Sequence, residues 1–183
     1  IAQGLPAATI VACEDLATAE KLRDALMSPL FRVYTNEDVA GVELAGALKN
    51  IIAIGAGMCD GLAYGDNAKA GFITRGLVEI ARLGVAAGAQ PLTFLGLAGV
   101  GDLIATCYSP LSRNHRVGIE LAKGRALDDV LSSLDQVAEG VTTTVAAREL
   151  ARRHGVEMPI TDMTYQVLFE GLDPRRAVAE LML

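Results

Sequence analysis

The sequence predicts a mainly α-helical protein, in which a short β-α-β unit precedes an all-helical domain. Runs of β-branched residues typical of strands occur before residue 37, and the apolar residues after it recur with helical spacing. Hydrophobic residues make up 51% of the 183 residues, aromatic residues only 4%, and 19 residues are glycines. This composition favours helices whose backbones approach closely through small side chains.

The N-terminal unit consists of a strand over residues 7–14, a helix over 15–27 that Asp15 caps, and a strand over 31–36. Two strands do not form a stable sheet unaided, so we expect this unit to be the trailing edge of a larger sheet. The chain begins at Ile1, and we expect it to be a piece of a longer protein. The change in composition places the domain boundary at residue 38, giving domains over 1–38 and 39–183.

The next stretch is unusually apolar, because Lys49 and Asn50 are the polar residues between Leu44 and Cys59. Such a segment predicts a buried helix. Burial destabilises an ammonium group and lowers its pKa unless an anion lies close, so Lys49 is a candidate general acid or base. The alternative is a lysine that extends from the rim of the helix into solvent.

The rest of the chain predicts further helices separated by turns. A glycine-rich connection is expected over residues 59–72, followed by a helix that ends at Ala89. Later helices are expected over 127–134 and 142–154, the second ending at Gly155, and two more follow prolines near their first turns.

Charge and cysteine content exclude several classes of function. The net charge of −6 argues against a general nucleic-acid or anionic-membrane binder, so local cations must attract any anionic substrate. Three dispersed cysteines indicate reduced thiols in a cytoplasmic protein, with no disulfide set and no metal site. The apolar run over residues 51–59 is too short to span a membrane, which needs about 20 residues.

Asp102 is a second charged residue in an apolar, glycine-rich setting, LAGVGDLIATCYS. A buried carboxylate needs a cation or several hydrogen-bond donors, so a pair with Lys49 is the simplest hypothesis. Alternatively, Asp102 caps the following helix, or does both. Gly96, Gly99 and Gly101 lack the order and the preceding strand of a dinucleotide-binding loop.

A helix start at Ser112, Arg113 and Asn114 could bind an anion, because free N–H groups and the helix dipole favour negative charge there. The guanidinium of Arg113 matches phosphate oxygens. Taken alone, this start is non-specific and is far more typical of an ordinary capped helix with surface charges. His115 and His154 show no metal-ligand spacing and are interpreted as ordinary polar residues.

Three motifs together are far more specific than any one of them: VELAGALKNIIAIGAGMCDGLAYGDNAKA, GLAGVGDLIATCYSPLSRN and VAEGVTT. They resemble the substrate domain of the NAD(P)H-dependent glycerol-3-phosphate dehydrogenase family in its bacterial form, and the resemblance covers nearly the whole chain. It implies an all-helical domain that follows a Rossmann domain, whose glycine-rich fingerprint this sequence lacks.

The resemblance also implies the site residues. Lys49 would be the proton donor, and Asp102 its catalytic partner. The substrate-binding residues implied are Lys49, Asn50, Asp102, Thr106, Ser112, Arg113 and Asn114. The cofactor-binding residues implied are Arg113, Val137 and Glu139. From the residues alone, Glu139 is a loop carboxylate beside a helix start.

The function implied is the interconversion of dihydroxyacetone phosphate and sn-glycerol 3-phosphate with NAD(P)H, which feeds glycerophospholipid synthesis. The cofactor would be bound mainly by the chain's own N-terminal Rossmann domain, so the 183-residue chain alone is expected to be inactive. Self-association into a homo-oligomer is expected. Two alternatives remain: the substrate domain of a 3-hydroxy acid dehydrogenase, and a non-catalytic helical oligomerisation module.

Overall fold

The computed structural model describes residues 3–181, and its N-terminal unit has the predicted β-α-β order. Strands β1 (Ala7–Ala12) and β2 (Phe31–Asn36) pair in parallel, in a register that runs from Ala7 opposite Phe31 to Ala12 opposite Asn36. Helix α1 (Leu16–Leu26) connects them, and the side chain of Asp15 accepts hydrogen bonds from the N–H groups of Ala17 and Thr18. The prediction of Asp15 as the N-cap is confirmed.

Helix α2 (Val39–Gly61) is the centre of the molecule, and its residues from Asn50 to Cys59 are buried. Asp38 caps it and also binds the distant segment that contains Gln90 and Thr93. Its carboxylate accepts from Gly41 N at 2.9 Å, from Gln90 N at 2.8 Å and from Thr93 Oγ1 at 2.6 Å. Burial raises the pKa of Asp38, but these hydrogen bonds outweigh burial and hold the pKa below its ordinary value.

The remaining helices follow α2 in close succession. They are α3 (Gly65–Ala86), α4 (Pro91–Leu95), a π-helical turn (Leu97–Gly101), α5 (Asp102–Tyr108), α6 (Arg113–Ala122), α7 (Leu127–Ser132), α8 (Glu139–His154), α9 (Pro159–Phe169) and α10 (Pro174–Leu181). The fold class is therefore confirmed as mainly helical, with a short β-α-β unit at the start. Gly155 ends α8 in the left-handed conformation, as predicted.

The glycine-rich connection predicted over residues 59–72 is wrong. Helix α2 continues to Gly61 and α3 already begins at Gly65, so the connection is only Leu62 to Tyr64. Gly61 does not break the helix because it lies against α6, where an added Cβ would lie 2.7 Å from Ala122 Cβ. Close packing, and not backbone freedom, explains the glycine here.

The apolar composition of α2 reflects its position in the core. Within the part of the chain that the structure describes, α2 is the one helix that has the length and hydropathy to cross a membrane. Residues of α3, α5, α6, α8 and α9 surround it, and 56% of its most apolar window is buried inside the protein. A core helix buried in this way meets the same length and composition criteria as a membrane span.

A buried carboxylate also holds the start of α9. Glu79 of α3 accepts hydrogen bonds of 2.8 Å from Ile160 N, Thr161 N and Thr161 Oγ1. Burial raises the pKa of Glu79 even though these hydrogen bonds lower it. Both oxygens of this carboxylate are occupied by one helix start.

Candidate functional site

Lys49 and Asp102 lie 53 positions apart in sequence and meet in the structure. The Nζ of Lys49, on α2, donates to Oδ2 of Asp102, the first residue of α5. The Lys49 side chain is 18% exposed and that of Asp102 is 40% exposed, so the pair lies at the rim of the core and not deep within it. The predicted pairing is present, but the expectation that Asp102 is a buried carboxylate is wrong.

Asp102 is not the cap of its helix, because Gly101 occupies the N-cap position. Its carboxylate binds Lys49 instead and is steadied by Thr106, whose Oγ1 donates to the Asp102 carbonyl at 2.7 Å and to Oδ1 at 3.3 Å. The capping alternative is therefore wrong, and Thr106 lies beside the ion pair.

The π-helical turn before α5 brings Asp102 to Lys49. Gly99 in this turn packs directly on α4, where an added Cβ would lie 2.0 Å from the carbonyl oxygen of Phe94. Any larger residue would push the turn away from α4 and move Asp102 with it. The glycine pattern thus serves close packing, in agreement with its rejection as a dinucleotide-binding loop.

A cleft of about 450 Å³ opens beside the ion pair. Six of the seven residues expected to bind substrate line this cleft: Lys49, Asn50, Thr106, Ser112, Arg113 and Asn114. The seventh, Asp102, does not line it but contacts Lys49. Glu139, expected to contact the cofactor, also lines the cleft. Helix α6 points its N-terminus into this cleft. Ser112 caps that helix, since its Oγ accepts from His115 N at 3.2 Å.

Asn50 and Asn114 form a buried hydrogen-bonded chain at the inner wall of the cleft. Asn114 Nδ2 donates to Asn50 Oδ1 at 2.9 Å, and Gly140 N donates to Asn114 Oδ1 at 2.8 Å. Asn50 Nδ2 in turn donates to the carbonyl of Gly46 at 3.3 Å. The chain joins α2, α6 and α8 and keeps their facing ends together.

Of the three residues expected to contact a cofactor, Arg113 and Glu139 line the cleft and Val137 lines a neighbouring pocket. Arg113 Nη1 donates to Gln136 Oε1 at 2.9 Å, which attaches the guanidinium to the segment before α8. Val137 in that segment is 68% exposed and lines a neighbouring pocket, whereas Glu139 lines the cleft itself.

Sequence reasoning missed a second charged cluster, formed by Asp60, Lys69 and His115. His115 Nε2 lies 2.7 Å from Asp60 Oδ2, and Lys69 Nζ donates to the same oxygen at 2.5 Å. The interpretation of His115 as an ordinary polar residue is wrong, because its side chain is 8% exposed and paired. Reading residues 59–72 as helical would have placed Asp60 and Lys69 on packed helices, where charged residues need partners.

Burial raises the pKa of the Cys107 thiol to about 12 and that of Cys59 to about 11. Both thiols are therefore protonated at neutral pH and are poor nucleophiles. All three cysteines are free thiols; Cys59 and Cys107 lie in the core, while Cys13 is partly exposed. Arg152 and Arg153 form the exposed, cationic end of α8, and both pair with Glu149.

Comparison with known proteins gives consistent matches. The family model for the C-terminus of NAD-dependent glycerol-3-phosphate dehydrogenase matches residues 38–179. A glycerol-3-phosphate dehydrogenase [NAD(P)+] of Dehalococcoides mccartyi is 57% identical over 100% of this chain and 51% of its own length. Its counterpart in Geobacillus thermodenitrificans is 59% identical over 97% of this chain and 52% of its own length.

A solved structure agrees in fold. The crystal structure of glycerol-3-phosphate dehydrogenase from Coxiella burnetii has a TM-score of 0.95 and 42% sequence identity, covering 99% of this chain and 56% of that one. The chain spans about half the length of the curated relatives it matches. Because the family model covers most of the chain, this protein belongs to the NAD-dependent glycerol-3-phosphate dehydrogenase family, whose C-terminal part it matches.

Proposed function

We propose that this chain is the substrate-binding and catalytic half of an enzyme that interconverts dihydroxyacetone phosphate and sn-glycerol 3-phosphate with NAD(P)H. The observation that carries the proposal is the contact of Lys49 with Asp102 at the edge of a cleft into which α6 points its N-terminus. A cation for the carbonyl oxygen and an anion-binding helix start for the phosphate then face the same cavity.

Lys49 is the proposed proton donor. A bound nicotinamide cofactor would supply the hydride to the ketone carbon. As negative charge develops on the ketone oxygen, the Lys49 ammonium stabilises it and transfers one proton to it, leaving a neutral amine that regains its proton from water. In the reverse direction, the neutral amine accepts the proton of the hydroxyl group.

Asp102 orients the Lys49 ammonium. Its Oδ2 accepts from Lys49 Nζ, while Thr106 fixes the other carboxylate oxygen. Lys49 is thus held on one side of the cleft before substrate binds. This preorganisation favours the transition state because no rotation of the lysine is needed during reaction.

The phosphate group is proposed to bind at the start of α6. Free N–H groups of the first turn and the helix dipole favour a dianion there, and Arg113 adds a charged donor. Asn50, Thr106, Ser112 and Asn114 complete the proposed contacts. Asn50 and Asn114 already bind each other, so they also keep the cleft in shape.

Arg113, Val137 and Glu139 are proposed to contact the cofactor, which would be bound mainly by a preceding Rossmann domain. Residues 1–38 would then be the trailing part of that domain and residues 39–183 the substrate domain. The proposal includes a cytoplasmic enzyme, a homo-oligomer, and a product used in glycerophospholipid synthesis. The exposed side chains of Leu92 and Leu95 on α4 offer apolar surface for contacts between the subunits of such a homo-oligomer.

The two alternatives are less well supported. Dehydrogenases of 3-hydroxy acids place an asparagine one turn after the lysine, and that position here is the buried Ala53. A non-catalytic module has no need of an ion pair at an open cleft. Assays of the full-length protein with dihydroxyacetone phosphate and with 3-hydroxy acids distinguish the two dehydrogenase reactions.

The test is Lys49→Ala in the full-length protein. Loss of the proton donor should lower kcat about a thousandfold while the fold is retained, measured by NADH or NADPH oxidation with dihydroxyacetone phosphate. Lys123→Ala is the matched control, because that lysine is exposed at the end of α6 and pairs with Glu120. Unchanged turnover in Lys49→Ala would remove this lysine from the mechanism.

A further inference from the structure

The cluster of Asp60, Lys69 and His115 contains charged groups that the proposed reaction does not use. The side chains of Lys69 and His115 are 5% and 8% exposed, and both contact the same oxygen of Asp60. Lys69 Nζ also lies 4.0 Å from the centre of the Tyr108 ring. Burying such groups is costly unless they are paired, so their arrangement requires an explanation.

The cluster joins four helices at one point. Asp60 belongs to α2, Lys69 to α3, His115 to α6, and Tyr108 is the last residue of α5. The two helices that carry Lys49 and Asp102, α2 and α5, are therefore connected to the start of α6 through this cluster. None of these four residues lines the cleft.

His115 connects the cluster to the turn at the start of α6, which is proposed to bind the phosphate. It lies in the first turn of α6, next to Asn114, and its backbone N–H donates to the Ser112 hydroxyl. The backbone there has no room to shift toward α2, because a Cβ on Gly57 would lie 2.0 Å from the carbonyl oxygen of His115. A close-packed contact of this kind moves as a unit when one member moves.

We propose that Asp60 is a positioning residue that acts through His115 and Lys69. It holds the turn of Ser112, Arg113 and Asn114 at the distance from Lys49 and Asp102 that the substrate requires. This inference rests on the proposed function. Without a hydrogen-bond donor at position 115, the turn loses its attachment to Asp60. The distance between the phosphate-binding groups and Lys49 is then no longer fixed.

The test compares His115→Leu with His115→Gln in the full-length protein. Leucine removes the donor, whereas glutamine places an amide N–H near the position of Nε2 and can still bind Asp60. We expect the KM for dihydroxyacetone phosphate to rise about tenfold in His115→Leu, with a smaller change in kcat, and to stay within about twofold of wild type in His115→Gln. Asp60→Asn should raise the KM as His115→Leu does.

Glu79→Gln is the control for a merely structural role. Glu79 is another buried carboxylate between helices, but it contacts the start of α9 and not α6. Its substitution should lower the melting temperature and leave the KM within about twofold of wild type. The comparison of Glu79→Gln with His115→Leu separates a loss of protein stability from a displacement of the phosphate-binding turn.

Two results would overturn the inference. One is a wild-type KM in His115→Leu. The other is an equal rise in KM in Glu79→Gln at a similar loss of stability. If Asp60→Asn does not fold, the two His115 variants decide the question alone. A wild-type full-length protein that does not reduce dihydroxyacetone phosphate would instead overturn the proposed function, and this inference with it.

Discussion

The cleft around Lys49 and the start of α9 use carboxylates in opposite ways. Glu79 is buried, and both of its oxygens accept hydrogen bonds from Ile160 and Thr161. Asp102 is 40% exposed and holds a lysine at the edge of an open cavity. A carboxylate whose oxygens are all occupied by backbone donors fixes structure, whereas one that orients a cation toward a cavity leaves that cation available for chemistry.

Asp38, like Glu79, is a carboxylate that fixes structure. Asp60 is intermediate between the carboxylates that fix structure and Asp102, which orients a cation. Asp38 accepts from Gly41, Gln90 and Thr93, so it connects the start of α2 to the segment around α4. Asp60 binds the side chains of Lys69 and His115 and does not line the cleft. The comparison therefore predicts which substitutions change catalysis and which change stability.

Among substitutions of these carboxylates, the largest effect on catalysis should come from Asp102→Ala in the full-length protein. Without its carboxylate, Lys49 is no longer held toward the substrate, so we expect kcat to fall about a hundredfold with little change in melting temperature. Steady-state kinetics with dihydroxyacetone phosphate measures the effect. Asp128→Ala, an exposed carboxylate in the first turn of α7, is the control and should behave as wild type.

The opposite result is expected for Asp38→Ala. This substitution removes an N-cap and two further hydrogen bonds, one of them buried, so the free energy of unfolding of the 183-residue chain should fall by about 2–4 kcal/mol. In the full-length protein, the KM for dihydroxyacetone phosphate should stay unchanged. Urea denaturation measures the first quantity and steady-state kinetics the second.

The loss of unfolding free energy in Asp38→Ala should also depend on pH. Its hydrogen bonds hold its pKa below the ordinary value of 3.8, so its stabilising contribution is present above pH 3.8 and is lost as the pH falls through the lower, folded-state pKa. The difference in unfolding free energy between wild type and Asp38→Ala should therefore shrink in acid. A difference that is constant with pH would contradict this account of Asp38.

Local pattern was enough to predict much of this fold. The cap at Asp15, the strand over Phe31–Asn36 and the left-handed Gly155 depend on neighbouring residues, which a single sequence displays. The buried helix around Lys49 was equally visible, because an apolar stretch of that length needs a core. The pairing of Lys49 with Asp102 followed from the scarcity of charge in both apolar segments.

The features that were missed depend on contacts between distant segments. Gly61 was interpreted as part of a connection, although it provides the close approach of α2 to α6. The pairing of His115 with Asp60 joins residues 55 positions apart on different helices, and no local spacing indicates it. The π-helical turn at Leu97–Gly101 likewise follows from packing on α4 and not from a recognisable motif.

The most direct test of the central claim is chemical rescue of Lys49→Ala in the full-length protein. The cleft of about 450 Å³ beside Lys49 can admit a small amine. If an ammonium at this position donates a proton, ethylamine should restore part of the lost kcat, and tetramethylammonium, which carries charge but no proton to donate, should not. Equal rescue by both cations, or no rescue by a series of small primary amines, would contradict the role of Lys49 as proton donor.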